Sequence, residues 1–144
     1  MDSIDDIASR LRQVVRLVYR RVQTETGEGS PTRSEAAALS WLDERGPMSL
    51  RALADLEQVR QQSMSQSVDA LQERGWATRS PDPNDRRQVI ITLTDAGRVA
   101  LETGRSVRQA WIVDAMTRLL DDTERRALAQ SLDLLERIAR AERE

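Results

Sequence analysis

The amino-acid sequence predicts a mainly α-helical chain that carries one small β-hairpin. Three observations lead there. Apolar residues recur every three or four positions over most of the chain, the period of helices with one buried face. The stretch from Pro47 to Arg98 reads as helix, turn, helix, then a strand pair around an arginine-bearing loop. Outside it lie further helices whose apolar stripes suit the pairing of two copies. At 144 residues the chain fits one domain with a moderate core.

Ile4, Ile7, Leu11, Val14, Val15, Val18 and Val22 mark a first helix ending near Thr24. Glu25 to Pro31 contains two glycines and no large apolar residue, so it reads as a connector. Thr32-Arg33-Ser34-Glu35 matches a capping box, and the second helix should run to Glu44 or Arg45 and stop at Gly46. Ser49 is placed to cap a short third helix with Leu50, Leu53 and Leu56 inward and Val59 filling the turn after it. A fourth helix follows from about Gln61 to Arg74, with Met64, Val68 and Leu71 on its core face and Gly75 closing it.

Trp76 to Arg79 and Gln88 to Leu93 read as strands, the second rich in β-branched residues. Pro81-Asp82-Pro83-Asn84-Asp85 between them is turn chemistry, which puts Arg86 and Arg87 at or near the tip of a hairpin. Thr94 is the predicted cap of a fifth helix reaching Leu120, with Asp95 in its first turn and Gly104 as a point of weakness. Such a helix is about 40 Å long, more than a domain of this size buries by itself. Asp121-Asp122-Thr123-Glu124 caps a sixth helix with Leu128, Leu132, Leu135, Ile138 and Ala139 on one face, and the tail from Arg140 to Glu144 is expected to fray.

Composition excludes several function classes. Charged residues make up 32% and hydrophobic residues 39%, the balance of a soluble globular protein. No apolar run approaches the roughly 18 residues of a spanning helix, and the N-terminus lacks the basic start of a secretory signal, so a cytoplasmic location with no membrane partner is expected. Cysteine and histidine are both absent, which removes disulfides, thiol chemistry, the commonest metal ligand and the usual general base near neutral pH. No cofactor, metal site or catalytic residue is expected. The paired carboxylates Asp5-Asp6 and Asp121-Asp122 fall at helix starts, where they serve the helix dipole rather than catalysis. Net charge is −2, so any basic surface must be local.

The stretch from Pro47 to Arg98 resembles the winged helix-turn-helix of the MarR (multiple-antibiotic-resistance regulator) family of bacterial transcription factors. The resemblance is carried by Leu71-Gln72-Glu73-Arg74-Gly75-Trp76, by Asp82-Pro83-Asn84-Asp85-Arg86-Arg87, and by Ile91-Thr92-Leu93-Thr94-Asp95-Ala96-Gly97. The order of helices agrees across essentially the whole chain. The resemblance implies a winged helix-turn-helix lobe over residues 31–94 and a helical dimerisation region over 1–30 and 95–144. It implies a homodimer on double-stranded DNA with a pseudo-palindromic operator, the recognition helix in the major groove and the wing in the neighbouring minor groove. A helix fits the major groove, where base edges differ, and a narrow minor groove attracts an inserted arginine.

Carried over residue by residue, Gln61, Gln62, Ser63, Ser65 and Gln66 are the major-groove candidates. Arg51, Arg60 and Arg79 are candidates for phosphate. In the wing Arg87 is assigned to the minor groove, with Asp85 and Arg86 bracing the loop through an ion pair; the reverse assignment of the two arginines stays open. Relatives often place prolines where this chain has Gln61 and Gln62, and an arginine where it has Gln66. From residue 60 to 87, Arg60, Arg74, Arg79, Arg86 and Arg87 face Asp69, Glu73, Asp82 and Asp85, so attraction to DNA must come from placement rather than surplus.

Relatives of this fold often bind small aromatic or anionic molecules between the dimer helices and the winged lobe. The residues assigned to such a cleft are Arg16, Tyr19, Arg20, Trp41 and Trp111, an aromatic wall with cations. Without cysteine the peroxide-sensing branch of the family is excluded. The function expected from the whole is a dimeric repressor relieved by a small ligand. The competing expectation is a winged-helix protein kept for protein or ligand binding with weakened DNA contact.

Overall fold

The computed structural model describes residues 1–142; of the tail expected to fray, Arg143 and Glu144 lie outside the described residues. Six helices and three strands follow in the order α1 (Ile4–Thr24), α2 (Arg33–Arg45), β1 (Met48–Ser49), α3 (Leu50–Glu57), α4 (Gln61–Glu73), β2 (Ala77–Pro81), β3 (Val89–Leu93), α5 (Asp95–Leu119) and α6 (Asp122–Ala139). The described residues form two compact units, residues 1–108 and residues 109 onward.

Helix ends match their sequence signals closely. Thr32 accepts from Glu35 N while Glu35 reaches back to Thr32 N, the predicted capping box of α2. Ser49 Oγ accepts from Ala52 N at 3.0 Å and starts α3, and Thr94 Oγ1 accepts from Gly97 N at 3.0 Å and starts α5. A capping box at Ser3 and Asp6 also starts α1, a signal the apolar spacing alone does not use. Gly75 closes α4 at φ 72°, a left-handed position that suits a residue without Cβ.

The core of the first unit joins α2, α3 and α4 to the sheet. Ala38, Leu39 and Leu42 of α2 meet Leu53 and Ala54 of α3, Met64, Val68 and Leu71 of α4, Ala77, Ile91 and Leu101. Trp41, Met48, Leu50, Trp76 and Leu93 pack around this cluster. Burying each large apolar side chain stabilises the lobe by about 1.5–3 kcal/mol, so the recognition helix is held mainly by its Met64, Val68 and Leu71 stripe.

Two local expectations change. The sheet has three strands, ordered β1-β3-β2, because Met48 and Ser49 pair antiparallel with Ile91 and Ile90. Two residues carry no readable alternation, so β1 is set by the partner strand rather than by its own sequence. Val59 does not fill the turn, since it is 41% exposed. The turn closes through the backbone instead: Gln58 takes a left-handed conformation at φ 57°, and Val59 N donates to Ala54 O at 3.0 Å.

In the second unit Asp121 caps α6, with Glu124 completing the box. Arg125 donates to Thr117 O and to Asp122, tying the start of α6 to the last turns of α5. Neither α1 nor α6 has a buried residue. Ile4, Ile7, Val14, Val15, Leu17 and Val18 of α1 are exposed, as are Leu128, Leu132, Leu134 and Ile138 of α6. Among the described residues no helix is long and apolar enough to cross a membrane.

Candidate nucleic-acid interface

The start of α4 is the natural place for a polyanion to approach. Arg60 occupies its N-cap position and makes no side-chain cap bond, so the backbone N–H groups of the first turn stay unsatisfied and carry the positive end of the helix dipole. Burial of Met64, Val68 and Leu71 turns the opposite face outward. Gln61, Gln62, Ser63 and Gln66 are exposed there, and Ser65 is half-buried. Glutamine amides on such a face present a donor NH₂ beside an acceptor oxygen, the pattern that pairs with the major-groove edge of adenine.

The wing loop between β2 and β3 is built by its own backbone bonds. Asp82 N donates to Gln88 O at 3.0 Å and Gln88 N to Asp85 O at 2.9 Å, while Asn84 N donates to the Asp82 carboxylate at 2.8 Å. Asp85 holds Arg87 rather than Arg86, the pairing that belongs to the reverse assignment of the two wing arginines. Its Oδ1 accepts from Arg87 N at 3.1 Å and from Arg87 Nε at 3.2 Å. The reason is the turn itself: an aspartate carboxylate in such a turn accepts from the backbone N–H two residues on, which is that of Arg87. The Arg87 side chain is nonetheless 92% exposed, so the carboxylate steers the guanidinium by Nε and leaves its outer end in solvent. Arg86 is exposed as well.

Helix and wing meet across a groove of about 410 Å³ lined by Ser49, Leu50, Arg51, Gln61, Asp85, Arg87, Gln88 and Val89. It gathers Arg51, Gln61, Asp85 and Arg87 from three separate parts of the sequence. Arg60 precedes Gln61 at the N-cap of α4 and is exposed. Arg79 and Ser65 are placed differently from expectation. Arg79, on β2, forms an ion pair with Asp69 and donates to Gln72 Oε1 at 3.3 Å and to both Ser65 O and Ser65 Oγ at 3.0 Å. The Arg79 side chain is only 25% exposed, so it does not stand free for phosphate, and the Ser65 hydroxyl is already engaged.

Of the residues assigned to a ligand cleft, Tyr19 borders a cavity within the first unit. This cavity of about 220 Å³ is lined by Tyr19 together with Gln23, Arg33, Ala36, Ala37, Ser40, Glu57 and Arg108. Arg33 lies over the Tyr19 ring with its guanidinium carbon 4.9 Å from the centroid. Trp41 is occupied elsewhere: it packs on the core, its Nε1 donates to Glu57 at 2.8 Å, and Arg45 covers its ring. Arg16 and Arg20 are exposed on α1 and are not among the residues that line this cavity, and Trp111 belongs to the second unit. Arg33, Glu57 and Arg108 are the charged groups that line this cavity, and none of them is among the residues assigned from the sequence. A usable signal existed on α2, where Arg33, Ala36, Ala37 and Ser40 share one helical face with two small residues that leave room.

A recognition helix presented beside an arginine-tipped hairpin defines a winged helix-turn-helix DNA-binding protein. The MarR family model matches residues 32–89, which span α2 through the first residue of β3. An uncharacterised helix-turn-helix transcriptional regulator of Mycobacterium leprae is 31% identical over 94% of each chain. The transcriptional repressor NicR of Pseudomonas putida is 30% identical over 67% of this chain and 64% of its own length. Among solved structures, a transcriptional regulator from Pseudomonas aeruginosa superposes with a TM-score of 0.82 at 28% identity, covering 95% of both chains. The chain belongs to the MarR family. It is therefore a DNA-binding transcriptional regulator and not an enzyme.

Proposed function

We propose that the protein is a dimeric, sequence-specific repressor of the cytoplasm that binds a pseudo-palindromic operator and is released by a small anionic, often aromatic, ligand. The observation that carries this reading is the groove joining the exposed first turn of α4 to Arg87. Gln61, Gln62, Ser63 and Gln66 read the major groove, Arg51 and Arg60 hold phosphates, and Arg87 enters the minor groove while Asp85 steers it. Arg86 is the second cation of the wing. Half-sites about one helical turn apart, or somewhat more, follow from two-fold symmetry.

Dimerisation is supported by the uncovered apolar faces of α1 and α6, which a second copy would bury. In this reading residues 1–30 and 95–144 form the dimerisation region and 31–94 the DNA-binding lobe. The ligand reading rests on the Tyr19 cavity, where Arg33 and Arg108 supply cations for an anion.

The test is a duplex selected by the protein from a random-sequence pool, titrated at several salt concentrations. Arg87→Ala should weaken binding and lower the salt slope by about one, because one phosphate-region cation is lost. Unchanged affinity and slope would refute the wing assignment. A folded, dimeric protein that enriches no duplex would favour the competing reading of a winged-helix protein retained for protein or ligand binding, which the net charge of −2 motivates.

A further inference from the structure

We infer that Arg79 is a positioning residue that locks the recognition helix to the wing and masks the carboxylate of Asp69, rather than a phosphate ligand. The inference rests on the DNA-binding reading above and adds to it what sets the angle between the two reading elements.

Arg79 lies in the middle of β2, opposite Ile91 of β3. Ser65, Asp69 and Gln72 are spaced four and three residues apart, so they form one row along α4. The Arg79 guanidinium lies across this row. One terminal nitrogen donates to Asp69 and Gln72, and the other to the carbonyl and hydroxyl oxygens of Ser65. A planar fork bound at three residues along one row of a helix restrains both translation and rotation of that helix, which a single-point ammonium does not. The strand thereby fixes the rotation about the helix axis that aims Gln61, Gln62 and Gln66.

Charge supplies the second half of the argument. Asp69 is exposed on the recognition helix, with 58% of its side chain accessible. A carboxylate there repels a phosphate backbone unless a cation sits on it. For Arg79 to bind phosphate it would have to release Asp69 beside that same phosphate, so the exchange gains little. An isolated exposed ion pair adds little stability, which makes orientation and charge masking the larger effects.

The experiment uses the full chain, with a duplex enriched by the native protein and an unrelated duplex of equal length. Arg79→Ala should lose roughly tenfold in affinity for the enriched duplex, the size of one misplaced base contact, with its salt slope unchanged. Arg79→Lys should keep the fold but not restore that affinity. Asp69→Asn should tighten binding to the unrelated duplex and narrow the discrimination between the two. If Arg79→Ala fails to fold, the Lys and Asn variants decide. A salt slope reduced by about one in Arg79→Ala would overturn the inference in favour of a phosphate contact. Full discrimination in Arg79→Lys, or none lost in Asp69→Asn, would overturn it in favour of a merely structural pair. A native protein that enriches no duplex would overturn the DNA-binding reading, and this inference with it.

Discussion

Gly97→Ala sets two effects of opposite sign against each other. Gly97 lies in the first turn of α5, where alanine is the better helix former by about 1 kcal/mol. Propensity alone therefore predicts a more stable protein. The packing predicts the reverse. A Cβ at this position would lie 2.1 Å from Trp76 O, 2.7 Å from Leu93 Cδ1 and 2.9 Å from the Trp76 carbonyl carbon. Two of these atoms are backbone and cannot rotate away, so α5 must lift from the base of the hairpin. Overpacking of this kind costs about 1–3 kcal/mol.

Lifting α5 also stretches the bonds from Thr94 N to Trp76 O at 3.0 Å and from Thr94 Oγ1 to Gly75 O at 2.6 Å. Each contributes about 1 kcal/mol. The balance is a net loss of about 2–4 kcal/mol. Urea unfolding of both proteins at one fixed protomer concentration measures it, because dimerisation would make stability concentration-dependent. An alanine variant as stable as the native protein would show that the close approach of α5 to Trp76 does not exist in solution.

Two further outcomes follow from the same structure. Arg74 at the end of α4 donates to Gly29 O and Ser30 O at 3.2 Å, lies over the Trp76 ring, and approaches the buried carboxylate of Glu35 at 3.6 Å. Arg74→Met should cost about 1–2 kcal/mol in urea unfolding, and adding Glu35→Gln should recover part of it, since a buried carboxylate no longer lacks its cation. A double variant less stable than Arg74→Met would refute that cause. At the start of α1, the Ser3 hydroxyl and then the Ser3 backbone N–H hold the Asp6 carboxyl below its ordinary value. A depressed carboxylate stabilises the helix start above its unfolded pKa and ceases to do so as pH falls through the folded value. Ser3→Ala should therefore raise the Asp6 titration midpoint followed by NMR; an unmoved midpoint would rule out the cap as its cause.

Most of the secondary structure was legible because local chemistry dictates it. Capping boxes at Thr32 and Asp121, the closing Gly75, and the cap at Thr94 each satisfy orphan backbone groups with neighbours three residues away, so their signals lie within one turn of sequence. The wing motif from Asp82 to Arg87 and the Thr94 to Gly97 entry into α5 identified the family for the same reason. Less legible were pairings between side chains whose partner depends on the path of the backbone or on distant chain. The wing carboxylate chose Arg87 over Arg86 because the loop backbone sets which neighbour shares its side. Of the aromatic residues assigned to a ligand cleft, Trp41 donates to Glu57 and packs on the core, a pairing across 16 residues of chain.

The sequence by itself determined the helices, the hairpin, the polar face of α4 and the family, all of which depend on spacings of a few residues. Only the tertiary structure decided that β1 completes the sheet, that Arg51, Gln61 and Arg87 share one groove, and that Arg79 is bound to Ser65, Asp69 and Gln72. A side chain's charge is written in the sequence. Which acceptor claims it is settled by the distances that packing brings about.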